Sequence, residues 1–186
     1  TPYQIRIPEY EKQGRGANVP YLLVKREAQL IAPALRRLGY TFKEEILGDY
    51  ILLWRVNELY PPAEVIKPLV ANVNSNLNTA LAPQLALDGD VSTRWGTGTR
   101  QQSGQSIVVR FLTPSRIAGI ELRHGGWRQD YPRKLKIELL ATNGTPIEVL
   151  SGSESVGIHY IKQESDFTVR FPEQEELGLR LTQEGD

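Results

Sequence analysis

The chain has 186 residues, room for one ordinary domain and a small second unit. Its 22 Lys and Arg balance 22 Asp and Glu, which argues against a protein held to nucleic acid by a basic surplus. It has no cysteine, so disulfides, thiolate chemistry and Cys-based zinc sites are excluded.

No apolar run approaches the ~18–20 residues that cross a bilayer. The first residues lack the apolar centre of a signal peptide, and the abrupt start reads as a fragment of something longer. Residues 1–18 are polar and irregular. Val19–Lys25, "VPYLLVK", is a near-continuous apolar run that reads as a strand. In "REAQLIAPALRRLGY", Leu30, Ile31, Ala34, Leu35 and Leu38 recur at helical spacing, with Arg36 and Arg37 in the last turn and Gly39 at the C-terminal cap. Pro33 predicts either a kink or a regular helix starting near Ile31, because proline has no amide proton to donate. "YTFKEEIL" and "YILLWRV", separated by Gly48-Asp49, predict a hairpin with Trp54 in the core. Residues 1–56 are thus a small α/β unit, β-α-β-β from Val19 onward.

Residues 57–68 carry three prolines in "NELYPPAEVIKP" and read as a linker. The Asn-rich "NVNSNLNTALAP" reads as a polar loop. From Ser106 onward the pattern is all β at short, regular spacing. Ile107, Val109 and Phe111 share one face, as do Leu135, Ile137, Leu139 and Ala141. Phe167, Val169 and Phe171, then Leu177, Leu179 and Leu181, repeat the alternation. One buried and one wet face describes an antiparallel sandwich, and Asn143-Gly144 is a hairpin signal. Residues 69–186 are therefore expected to form a β-sandwich.

Two stretches concentrate chemistry. In "LALDGDVSTRW" (Leu85–Trp95), Asp88, Asp90 and Ser92 present oxygens at the spacing that opens a calcium-binding EF-hand loop. The sixth position is Thr93 rather than Gly, the twelfth is Thr99 rather than Glu, and no helices flank it, so an EF-hand is excluded. An oxygen-rich turn for a hard cation remains, against a turn that Asp88 closes by accepting backbone N–H bonds. Trp95 is expected to plug the open end of the sandwich.

The second stretch, "RHGGWRQDYPRK" (Arg123–Lys134), brings His124, Trp127, Arg128, Asp130, Tyr131 and Arg133 into one loop. Loops at the end of a rigid sandwich are where binding residues collect. Trp127, Arg128 and His124 are candidate ligand contacts. Asp130 and Arg133 read as structural, paired with each other or satisfying backbone groups, with Tyr131-Pro132 packed beneath. "TGTRQQSGQ" (Thr97–Gln105) is a third polar loop, from which Arg100, Gln101 and Gln102 can join the same surface; a solvated loop is the simpler reading. Catalysis finds no motif: no HExxH, G-x-S-x-G or phosphate-cradling loop occurs, and His124 and His159 stand at no metal-ligand spacing.

"ALDGDVSTRW", "SGQSIVVRF" and "RIAGIELRHGGWRQDYPRKLKIELLATNG", in that order, resemble the discoidin, or coagulation factor 5/8 type C, domain and the galactose-binding-like carbohydrate-binding modules. The resemblance spans residues 69–183 and implies a mainly β, eight-stranded jelly-roll sandwich. It implies a structural Ca2+ held by the Leu85 carbonyl, Asp88, Asp90 and Thr93, a core role for Trp95, and a sugar or lipid site among the loops at one end. One departure stands out: the chain stops at "LTQEGD", before the family's last strand with its Trp-Ser…Glu pattern. The carboxylate and carbonyl which that strand gives a complete metal site are then missing. Residues 15–60 are similar, by pattern alone, to the soluble tail of bacterial multi-membrane-spanning glycosyltransferases. That similarity implies an extracytoplasmic location and a membrane-anchored parent whose catalytic carboxylates lie outside this sequence.

The expectation is a non-catalytic accessory region that binds or positions a glycan or glycolipid, with no nucleic-acid partner. Trp127 or Tyr131 would stack on sugar rings, while Arg128, His124 and Arg100 hydrogen-bond hydroxyls. A protein-docking module and a purely structural cap are the alternatives.

Overall fold

The computed structural model describes residues 21–58, 68–77, 80–125, 130–162 and 166–185. Strand β1 (Tyr21–Val24), helix α1 (Lys25–Arg37) and strands β2 (Tyr40–Leu47) and β3 (Tyr50–Glu58) build the N-terminal unit. Its three strands are antiparallel in the order β1-β3-β2. The hairpin forms as its sequence predicts: Leu47 pairs with Tyr50 across Gly48-Asp49, and Gly48 adopts the positive φ of 61° that a two-residue turn needs.

Helix α1 begins at Lys25, six residues ahead of Ile31, and continues past Pro33 to Arg37. Pro33 forfeits one backbone bond, but Ala28, Ile31, Ala32, Ala34 and Leu35 are all buried on the α1 face that meets the core. Tertiary packing therefore overrides the local penalty. Strand β3 takes Asn57 and Glu58 from the expected linker. Residues 1–20, the linker from 59 to 67 and the side chain of Trp54 lie outside what is described.

The second sheet contains β4 (Val70–Ser75), β5 (Ser106–Leu122), β6 (Leu135–Ala141), β7 (Pro146–Leu150) and β8 (Phe167–Gln183). They are antiparallel in the order β4-β5-β8-β6-β7. The fold is mainly β, with two antiparallel sheets, as the alternation of its sequence implies. The runs "DFTVRF" and "LGLRL" are the two ends of the single strand β8, and the "SIVVRFL" strand continues to Leu122. Register slips between Arg110 and Ser115 and between Ile117 and Gly119. Pro114 of β5 falls in the first gap and Pro172 of β8 in the second. A proline cannot donate to the ladder, so pairing resumes beyond it.

Two expectations need correction. The Asn-rich "loop" supplies β4, an edge strand paired with β5. Only Val73 of β4 is buried, so there is no alternation for the sequence to display. The chain beyond Ser106 is not all β either, because Gly152–Lys162 is a helix, α2. Its start is a capping box: the Glu154 N–H donates to Ser151 Oγ at 3.2 Å, and the Ser151 N–H donates to Glu154 Oε2 at 2.8 Å. Ser155, Ile158 and Ile161 repeat every three residues and are fully buried.

One apolar face of the larger sheet carries the core. Ile137, Leu139, Val169 and Phe171 pack with Ile158 and Ile161 of α2 and with Ile31, Ala34 and Leu35 of α1, in one continuous cluster. Val73, Ile107, Val109 and Phe111 form a second cluster, against which Trp95 packs. Trp95, expected to plug the open end of the sandwich, is partly buried against this cluster, with its Nε1 buried and unpartnered among the described residues. The two helices cross at Gly157. A Cβ there would lie 2.6 Å from the Leu30 carbonyl oxygen and 2.8 Å from Ala34 Cβ. Arg37 Nε donates to Glu154 Oε1 at 2.9 Å beside the crossing. Among the described residues no helix is long and apolar enough to cross a membrane.

Candidate functional site

Residues 85–93 form a self-closed turn. Leu85 lies in a short 3-10 helix (Pro83–Ala86), and the residues after it fold back through two Asx turns. The Asp90 N–H donates to Asp88 Oδ1 at 2.9 Å, and the Ser92 N–H donates to Asp90 Oδ1 at 2.8 Å. The Ser92 hydroxyl also donates to Asp90 Oδ1 at 2.7 Å, and Thr93 Oγ1 donates to Asp88 Oδ2 at 2.5 Å. The hydroxyl and N–H of Ser92 hold the Asp90 carboxyl below the usual carboxylate range. Both carboxylates are exposed. In kind, two carboxylates, a hydroxyl and a carbonyl fit a hard cation. Among the described residues no group of three or more His, Asp or Glu gathers as a metal site.

The 123–134 loop meets this turn and the 97–105 loop that follows it. Arg94 forms an ion pair with Asp130, so the partner of Asp130 is Arg94 and not the expected Arg133. Gln101 donates to the Tyr131 carbonyl and accepts the Arg133 N–H at 3.3 Å. The Arg133 backbone is thus satisfied by a side chain of the third polar loop, while Arg100 is exposed. Gly125 has φ of 53°, and a Cβ there would sit 2.7 Å from the Val91 carbonyl oxygen, so only glycine lets the two loops touch.

An aromatic run lies under the 123–134 loop. The ring of Tyr131 is 6.1 Å from that of His124, edge-on, and 4.3 Å from that of His159; His159 in turn meets Phe167 edge-on at 5.1 Å. His159 Nε2 is 3.3 Å from the Pro132 carbonyl oxygen. The His124 N–H donates to Asp166 Oδ1 at 2.7 Å. Tyr131 is half-buried with His159 beside its ring, so it is only partly available as a stacking platform. Of the residues the sequence singles out, His124, Tyr131, Asp130 and Gln101 converge; Arg100 is exposed, and Trp127 and Arg128 lie outside the described residues. His159 and Asp166 were missed. Neither has a motif around it, and only the return of α2 and β8 to this loop brings them in.

On the opposite, solvent-facing side of the large sheet is an open groove of about 320 Å³, lined by Gly104, Ser106, Lys136, Glu138, Arg180, Thr182 and Glu184. Its charges satisfy one another. Glu138 accepts from Arg180 Nη2 at 2.7 Å and lies 3.1 Å from Lys136 Nζ, which also reaches Glu148 at 3.4 Å. Burial pushes the Glu138 carboxyl up, but the Arg180 and Lys136 hydrogen bonds and charges outweigh it and leave the group below its ordinary value.

The sequence profile of the F5/8 type C domain matches residues 70–174, more than half of the chain. The chain belongs to the F5/8 type C domain family. Among solved structures it is similar to the family 32 carbohydrate-binding module from Clostridium perfringens NanJ in complex with galactose. That pair shares 19% identity over 61% of this chain and 81% of the other, with a TM-score of 0.49. Chitosan-binding module 1 from a chitosanase/glucanase of Paenibacillus sp. IK-5 shares 17% identity over 63% and 85% of the two chains, with a TM-score of 0.47. The Clostridium perfringens module CpGH89CBM32-4 shares 15% over 62% and 79%, with a TM-score of 0.45. No curated protein matches the chain.

Proposed function

We propose that this chain is a non-catalytic glycan-binding or substrate-positioning accessory region, and that the ligand sits on the surface made by the 85–95, 97–105 and 123–134 loops. The observation that carries the reading is their convergence: Arg94 on Asp130 and Gln101 on Tyr131 and Arg133 join the 123–134 loop to two consecutive loops some thirty residues earlier in sequence. Polar side chains beside aromatic rings on a rigid sheet suit a polyhydroxylated ligand. In this reading Trp127, or the open part of Tyr131, takes a sugar face, while Arg128, His124 and Arg100 hydrogen-bond hydroxyls. In the same reading the Leu85 carbonyl, Asp88, Asp90 and Thr93 would hold a structural Ca2+, which would stiffen the neighbouring loop. The test is a glycan array that includes galactose and chitosan oligomers, run with calcium and with chelator. Hits lost on Trp127→Ala and Arg128→Ala support the site; a blank array, or hits unchanged in both variants, refutes it.

For the N-terminal unit, the proposal is the extracytoplasmic tail of a membrane-anchored glycosyltransferase, resting on its resemblance alone. Protease accessibility of the full-length parent in spheroplasts tests it, since a protected tail rules out that placement. The structural-cap alternative has one observation in its favour, the core shared by α1, α2 and the large sheet. It predicts that the loop variants leave all binding untouched and that only variants in the shared core change behaviour.

A further inference from the structure

We infer that His159 is a positioning residue for the Tyr131-Pro132 end of the 123–134 loop, and that it is held in place by the N-terminal unit acting through α2. The inference rests on the reading of that loop as the ligand loop, but its physical content is independent of any ligand.

The loop leaves β5 at Leu122 and rejoins the sheet at Leu135. Contacts from other elements anchor it. Asp166, just ahead of β8, accepts the His124 N–H, and Gln101 binds the Tyr131 carbonyl and the Arg133 N–H. Helix α2 supplies His159, which makes two kinds of contact: its ring lies 4.3 Å from the Tyr131 ring, and its Nε2 lies 3.3 Å from the Pro132 carbonyl oxygen. Tyr131 and Pro132 are consecutive, so one side chain fixes both the ring and the backbone beside it. Phe167 meets the His159 ring edge-on at 5.1 Å.

The position of His159 is set in turn by α2. Ile158 and Ile161 flank it in sequence and are fully buried in the cluster shared with α1. Two residues earlier, Gly157 sits against the α1 backbone, and Arg37 of α1 bonds Glu154 in the first turn of α2. The β-α-β-β unit is thereby part of the support for the loop surface.

The test needs no ligand. Amide hydrogen exchange at Arg133, whose N–H is held by Gln101, is followed in the full chain and in three variants. His159→Ala removes ring and donor, His159→Phe keeps the ring, and His159→Gln keeps a donor. The expected result is exchange at Arg133 faster by about tenfold in His159→Ala, with part of the protection restored by each of the others. Were His159→Ala to unfold, His159→Phe still decides, because it cannot donate to the Pro132 carbonyl. Wild-type exchange at Arg133 in His159→Phe and in any folded His159→Ala overturns the inference. Galactose titration of the wild-type chain tests the ligand reading separately. Galactose binding that weakens in step with the loss of protection supports both, whereas binding unchanged in a variant whose loop has loosened refutes the ligand role and leaves the positioning role established.

Discussion

Gly157→Ala separates two opposed physical effects by sign. In a helix free of neighbours, alanine is favoured over glycine by about 0.8–1.0 kcal/mol. At this crossing the new Cβ lies 2.6 Å from the Leu30 carbonyl oxygen and 2.8 Å from Ala34 Cβ. The two distances fall about 0.9 and 0.7 Å short of the ~3.5 Å at which carbon contacts are comfortable. Leu30 offers a backbone atom and Ala34 a fully buried one, so neither can swing aside and the helices must part. Overpacking of that kind costs about 1–3 kcal/mol. With no flexible side chain to yield, the upper half of that range applies and the net loss is about 1–2 kcal/mol. For a chain of this length each kcal/mol moves the melting temperature by roughly 2–4 °C. Thermal unfolding followed by circular dichroism should therefore show a fall of about 2–8 °C. A rise of about 2–4 °C, the value of helix propensity alone, would refute the close packing of α1 on α2 and the support argued for His159.

Two carboxylates should respond to pH in opposite directions. Glu138, 9% exposed, is held below its ordinary value, so it contributes stability above about pH 4.3 that is lost as the pH falls through its lowered folded value. Arg180→Ala should cost about 1.5 kcal/mol at pH 7, at the low end for a charged hydrogen bond because Arg180 is 39% exposed, and urea titrations should show that cost shrinking toward pH 3. Glu176, 3% exposed with Oε2 unpartnered among the described residues, is pushed up by burial, so its charge costs stability once the pH rises past its raised value. Glu176→Gln should stabilise by about 1 kcal/mol at pH 7 and lose the gain below about pH 4.3; an equal effect at both pH values would contradict the burial argument. Calcium at ten times its dissociation constant should add about 1.4 kcal/mol of stability, read as a higher melting temperature that Asp88→Asn abolishes. A melting temperature equal in calcium and chelator removes the ion from the Asp88–Thr93 turn.

What the sequence alone determined is the periodic part. Alternation over Leu135–Ala141 and Phe167–Phe171 marked the buried face residue by residue, because a pleated strand has a side-chain period of two. Gly48-Asp49 and Asn143-Gly144 marked their hairpins, because such turns restrict the backbone to conformations few residues accept. Helix α2 was legible as well, in Ser151-x-x-Glu154, a local signal that the surrounding β alternation overshadowed. Strand β4 was not legible: an edge strand with one buried side chain has no period, and its pairing comes from β5 some thirty residues on. The candidate site divides the same way. Asp88, Asp90, His124 and Tyr131 could be named from local composition, since turn chemistry and aromatic clustering are short-range properties. That Asp130 chooses Arg94 was decided only when the loop after β5 came to lie against the Asp88–Thr93 turn, and that His159 reaches Tyr131 only when α2 folded back against that loop. Such contacts join residues with no shared period or motif, and the chain must close long loops before they exist.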